Sequence, residues 1–146
     1  MAVLLANAAA ALVMTGVIWM VQVVVYPAFR LVAAGDWHAY HDAHSRRITF
    51  VVGPAMLVEL GTSIALVAGA APSAVPGWEP LAALVATLVA VGMTGGVHSP
   101  DHGRLGRGYD ARLVDRQIRL GWVRTAAWTA HGALAIAMLA AAAPAG

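Results

Sequence analysis

Apolar positions in this chain do not alternate at short range. They fall in four long blocks separated by three polar connectors. The first block, Ala2 to Phe29, is interrupted only by Asn7, Thr15 and Gln22 and stops at Arg30, just after Tyr26-Pro27. That length crosses a hydrocarbon layer of about 30 Å with some tilt. No Arg or Lys precedes the block and it is longer than a usual signal core, so it predicts a retained helix rather than a cleaved leader. Leu31 to Arg47 is a polar connector in which Asp36 is placed to N-cap a short helix. Ile48 to Ala71 is the second block, with Pro54 inside it, where a kink is expected. Pro72 to Glu79 has turn composition, and Trp78 suits a membrane interface.

Pro80 to Val97 is the third block. Gly92 and Gly96 form a small-xxx-small pair that predicts close approach of another helix. Ser99 to Gly108 reads as a loop. Tyr109 to Arg119 reads as a short interfacial amphipathic helix, with Tyr109, Leu113 and Leu120 on one side and Arg112, Asp115, Arg116 and Arg119 on the other. Leu120 to Ala143 is the fourth block, before a short Pro-Ala-Gly tail. The expected fold is all-α: a single-domain four-helix transmembrane bundle with spans at about 2–29, 48–71, 80–97 and 120–143.

Composition supports lipid as the solvent. Of the 146 residues, 60% are hydrophobic and 11% charged, about half the charged share of a typical soluble domain. With no cysteine there is no disulfide, thiolate ligand or thiol nucleophile. All nine basic residues are Arg, which suggests a GC-rich, bacterial genome. Arg30, Arg46 and Arg47 lie in the first connector; Arg104, Arg107, Arg112, Arg116, Arg119 and Arg124 lie in or beside the third. The positive-inside rule then places both connectors in the cytoplasm and both termini outside, in a bacterial inner membrane. The basic charge follows span ends rather than an aromatic-interleaved surface, so nucleic acid is not the expected partner.

This topology gathers the histidines. His38, His41 and His44 lie in the first connector; His98 and His102 lie at the end of the third block and in the loop after it. His41 and His44 are three apart and share a helix face. Together with His98 and His102 they could ligate copper, iron or zinc. Alternatively, one histidine from each connector could hold haem iron, with Arg46, Arg47 or Arg104 near its propionates. The plainer alternative is a set of polar interfacial residues.

A second polar layer lies deeper. Glu59 is eleven positions past Ile48 and His131 eleven past Leu120, so each sits about 16 Å inside. An intramembrane carboxylate needs a partner, and His131 is the expected one. Arg124, Trp128 and His131 share one face of the fourth span; Thr87, Thr94 and His98 share one face of the third. Glu59, His131 and Arg124 are therefore candidate catalytic or proton-handling residues. The alternative is a hydrogen-bonded pair that fixes helix register. His41 and Glu59 lie about 27 Å apart along an unbroken helix and form separate layers.

Tyr26-Pro27, the run His98-Ser-Pro-Asp-His-Gly-Arg-Leu105, and Gly121-Trp-Val-Arg-Thr125 together resemble the anthrone-oxygenase-like family of small four-helix membrane proteins. Most of that family has no assigned activity. The resemblance implies oxygen-dependent oxidation of a reduced aromatic polyketide. The leading expectation is thus a membrane oxidoreductase or oxygenase acting on an apolar small molecule. The rivals are a proton-coupled transporter or channel component using Glu59 and His131, and a non-catalytic subunit that docks through Gly92 and Gly96. A homo-oligomer or membrane complex is expected under each.

Overall fold

The computed structural model describes residues 1–144. The last two positions of the expected tail lie outside the described residues. Four helices account for nearly all of the rest: α1 (Ala2–Leu31), α2 (Trp37–Ala70), α3 (Trp78–Leu105) and α4 (Ala111–Ala142). No strand occurs among the described residues. Each helix is long and apolar enough to cross a membrane. The helices follow one another around a ring: α1 packs on α2, α2 on α3, α3 on α4, and α4 closes on α1. Short connectors between neighbours give this up-and-down arrangement.

The helices extend further than hydropathy shows. The histidine-bearing stretch is no separate helix; α2 starts at Trp37 and runs through it. Asp36 stands at the start, but its side chain makes no capping hydrogen bond. The helix passes through Pro54 without interruption. Its last turn breaks at Gly69, whose φ of 109° is a backbone conformation natural to glycine. The expected loop after the third block is instead helical as far as Leu105.

The separate interfacial helix at Tyr109–Arg119 is not found. Those residues, from Ala111 on, form about the first three turns of α4. Asp110 caps that helix, its Oδ1 accepting from the backbone N–H groups of Arg112 (2.8 Å) and Leu113 (3.3 Å). No glycine or proline lies between Ala111 and Gly121. Val114 and Gln117 are fully buried, so the inner side of this stretch faces protein.

Two irregularities, one in α1 and one in α3, redirect side chains near the histidine end of the bundle. Helix α1 widens to a π turn at Val21–Val25, and the Tyr26 N–H reaches back five residues to the Val21 carbonyl. Helix α3 does the same at Thr94–His98, with the Ser99 N–H bonded to the Thr94 carbonyl. Each π turn lies just before a proline, Pro27 or Pro100. A proline inside a helix has no N–H to donate and its ring crowds the carbonyl four residues back. Widening the turn relieves the crowding and changes the direction of the side chains beside it. Those side chains are Tyr26 and His98.

The close helix contacts use glycines other than the expected pair. A Cβ at Gly121 would overlap Gln22 Oε1, and one at Gly132 would lie 2.9 Å from Thr15 Oγ1. These two glycines bring α4 onto α1. A Cβ at Gly92 or Gly96 would meet nothing within 4 Å, so neither supports packing within this chain.

Burial is inverted relative to a water-soluble bundle. Phe50 (81% exposed) and Leu57 (73% exposed) point outward, together with many valines and leucines. Asn7, Gln22, Glu59, Thr87, Gln117 and His131 are buried. An apolar belt of this extent would not be tolerated in water.

Candidate functional site

The buried polar residues form two groups that differ in how completely their hydrogen bonds are made. The deeper group surrounds Glu59. Its Oε1 lies 2.5 Å from His131 Nδ1, and its Oε2 accepts from Trp128 Nε1 at 2.9 Å. His131 Nδ1 is also 2.8 Å from Thr87 Oγ1, and His131 Nε2 lies 3.1 Å from Asn7 Oδ1. The Asn7 amide nitrogen donates to Ser63 and Thr62, at 2.9 and 3.0 Å. Asn7 Oδ1 can only accept, so His131 Nε2 carries a hydrogen. All four helices contribute to this knot: Asn7 from α1, Glu59, Thr62 and Ser63 from α2, Thr87 from α3, and Trp128 and His131 from α4. Every polar side-chain atom in it has a partner.

The second group lies toward the helix ends that carry the other histidines. Arg124 of α4 is 5% exposed. Its Nη2 donates to the Tyr26 hydroxyl at 2.8 Å and its Nη1 to Thr94 Oγ1 at 3.4 Å. The guanidinium carbon stands 5.8 Å from the centre of the Tyr26 ring. No carboxylate among the described residues lies within ion-pair distance of Arg124, and its Nε has no partner. A buried cation without a counter-ion is a costly arrangement.

Hydrogen positions around Arg124 follow from donor counting. Arginine only donates, so the Tyr26 oxygen accepts and its own hydrogen is free to point elsewhere. The next polar atom is His102 Nε2, at 3.4 Å. His102 Nδ1 lies 3.2 Å from His41 Nε2. Tyr26, His102 and His41 thus form a hydrogen-bonded chain from Arg124 toward the bundle end. His98 is set independently. Its Nδ1 meets Gln117 Oε1, whose amide nitrogen in turn donates to the His98 carbonyl at 3.4 Å. Gln117 Oε1 is an acceptor, so the His98 hydrogen sits on Nδ1 and Nε2 presents a lone pair. That Nε2 is buried and unpartnered, as is His44 Nε2.

These residues border one cavity of about 230 Å³. Tyr26, His44, His98, His102 and Arg124 form its polar part together with Thr49, Thr94 and Ser99. Met14, Ile18, Val21, Val52, Met56 and Trp128 are among its apolar walls. The volume is just below the roughly 300–1,000 Å³ of most small-molecule sites. An apolar chamber with a few convergent polar groups is the usual form of such a site. No family model, curated protein or solved structure matches this chain.

Only some of the sequence-derived candidates reach this cavity. Arg124 borders it, whereas Glu59 and His131 do not. They belong to the deeper knot and reach the cavity only through Trp128, which is part of both. His41, His44 and His102 come together from α2 and α3: the ring of His102 is 5.4 Å from that of His41 and 5.7 Å from that of His44. His98 stacks on Tyr26 instead, at 6.1 Å.

The four histidines proposed as metal ligands do not form a cage. Among the described residues no group of three or more His, Asp or Glu side chains is placed to hold a metal ion. His41 and His102 direct nitrogens at each other, and His98 commits one to Gln117. Of the arginines considered for haem propionates, Arg46 and Arg47 are exposed and Arg104 pairs with Asp101 at 3.5 Å. None of the three borders the cavity.

Tyr26 and Gln117 are the residues that sequence reasoning did not place in the site. Gln117 gave a usable signal: it is an uncharged polar residue seven positions before Arg124, on the same helical face.

Proposed function

We propose that this chain is a multi-pass membrane oxidoreductase of the oxygenase type, acting on an apolar aromatic molecule that carries an oxygen substituent. The observation that carries this reading is the contrast between the two polar groups. The deep knot has satisfied every hydrogen bond and serves as structure. The cavity keeps a buried guanidinium without a carboxylate and an imidazole lone pair without a donor. Those two groups suit a substrate that loses a proton from carbon and gathers negative charge on oxygen.

The chemistry expected of the resembled family fits such a site. His98 Nε2 takes a proton from a ring methylene. The electron pair moves into the conjugated oxygen, which Arg124 holds through the N–H groups that Tyr26 and Thr94 leave free. Dioxygen is the oxidant; one of its atoms replaces the two hydrogens of the methylene as a carbonyl oxygen, and the other leaves as water. The Tyr26–His102–His41 chain leads from Arg124 to the bundle end. By the distribution of arginines this end faces the cytoplasm.

The test uses purified protein in mild detergent with 9-anthrone and an oxygen electrode. We expect one dioxygen consumed per anthrone converted to anthraquinone, at a rate above the detergent blank. His98→Ala should lower the rate about 10²-fold or more, as loss of a general base does. Arg124→Met should lower it about 10²–10³-fold, as loss of an oxyanion donor does. A wild-type rate equal to the blank, or both variants keeping the full rate, refutes the proposal.

A further inference from the structure

On the side of α1 and α2 the cavity shares its wall with a second space. A groove of about 400 Å³ runs between these helices on the outside of the bundle. Its walls include Met20 and Val25 of α1 and Ala43, Arg47 and Val51 of α2. Val17, Val21, His44 and Ile48 belong to both the groove and the cavity. The two spaces therefore meet along a shared boundary of four side chains. Met20 (63% exposed) and Val51 (47% exposed) place the outer part of the groove on the apolar belt.

From this shared wall we infer that the ligand of the cavity is a tailed amphiphile: a ring head carrying oxygen, with a hydrocarbon chain that leaves the bundle between these four side chains along the α1–α2 groove. This rests on the proposed role of the cavity as the substrate site and narrows its substrate class. The cavity alone, at about 230 Å³, has room for a small ring system and little more. Its polar groups lie where an oxygen-bearing head would bind. The groove adds an apolar channel of larger volume, and its lining beyond His44, Tyr40 and Arg47 is aliphatic. A chain lying there exchanges lipid contacts for protein contacts and needs no polar partner. A compact molecule would fill the cavity and leave the groove to lipid.

The experiment compares two compounds with the same head. One is 2-methyl-1,4-naphthoquinone; the other carries a geranylgeranyl chain on the neighbouring ring carbon. The full chain is placed in lipid nanodiscs, and binding is measured as the ligand-induced rise in unfolding temperature by circular dichroism. Compound amounts are set as equal mole fractions of lipid. Val51→Trp and, separately, Met20→Trp fill the groove from opposite walls without touching the residues of the cavity. We expect the wild type to bind both compounds. Each Trp variant should bind the tailed compound at least 10-fold more weakly and the tail-less one unchanged, which also shows that the variant is folded.

Equal binding of the tailed compound by wild type and both variants overturns the inference, and assigns the groove to bulk lipid or to a second copy of the chain. Loss of both compounds in both variants also overturns it, because the groove then only supports the cavity walls. A wild type that binds the tail-less compound alone overturns the inference and leaves the reading of the cavity intact. Failure of the wild type to bind either compound overturns both. Arg124→Met provides the control for the cavity, since it should weaken both compounds alike.

Discussion

Replacing Arg124 by Met should make the ligand-free protein more stable while removing its ligand binding. In the structure the guanidinium is 5% exposed and makes one short hydrogen bond, 2.8 Å to Tyr26, and one long one, 3.4 Å to Thr94. A hydrogen bond from a charged group contributes about 1.5–3 kcal/mol, and the second bond is too long to add much. Against this stands the desolvation of a buried cation with no carboxylate, several kcal/mol per ion. Methionine fills similar space without a charge. Even for paired charges, exchange of the buried ionic groups for apolar ones of similar volume is often neutral or stabilising by about 1–4 kcal/mol. The net expectation is a gain of about 1–2 kcal/mol, or roughly 2–8 °C in unfolding temperature for a chain of this size. The assay is thermal unfolding in detergent, without ligand, beside His131→Ala. That variant leaves Glu59 buried and unpaired and should cost about 3–5 kcal/mol. If Arg124→Met destabilises as much as His131→Ala, Arg124 is a structural member of the core and the division into a satisfied knot and an unsatisfied site is wrong.

Other substitutions probe separate parts of the molecule. Gly121→Ala sets a methyl against the Gln22 side chain and should destabilise by about 1–3 kcal/mol in the same unfolding assay. Gly92→Ala and Gly96→Ala have open space and should change stability by less than about 1 kcal/mol, unless a partner chain covers them. Tyr26→Phe removes the acceptor for Arg124 and the hydrogen-bond partner of His102, so the anthrone-dependent oxygen uptake should fall by about tenfold or more, while unfolding temperature moves by only a few degrees. Pro27→Ala restores an N–H and lets α1 tighten from a π turn to a regular one; oxygen uptake should fall because Tyr26 turns away from the cavity, and an unchanged rate would show that the π turn does not position it.

Much of the architecture was legible in the sequence because block hydropathy reports length and solvent directly. The four apolar blocks became four helices. The pairing of Glu59 with His131 was also legible: both lie equally deep from the same end, and a buried carboxylate has few partners in so apolar a chain. Helix ends were not legible. The polar stretches Trp37–Arg47 and Ala111–Arg119 are helical because they continue neighbouring helices and pack their inner faces, and hydropathy windows do not sense that. The exchange of Gly92 and Gly96 for Gly121 and Gly132 has a similar cause. A glycine spacing states that approach is permitted, and only the path of α1 decides where it occurs. Tyr26 escaped notice as a site residue because its role depends on the π turn before Pro27, a backbone adjustment that side-chain periodicity does not encode. The distinction between satisfied and unsatisfied polar atoms likewise depends on Gln117 and Asn7, which in sequence look like isolated polar interruptions.

The most direct test of the central claim is a high-resolution structure of the protein purified in mild detergent and crystallised from a lipid phase. We expect non-protein density in the cavity among Met14, Val52 and Trp128, with its polar end against Arg124, Tyr26 and His98 Nε2, and the Glu59–His131 knot closed as described. A cavity collapsed by a side chain that reaches Arg124, or density confined to ordered water while ligand sits at Glu59 and His131, would contradict it.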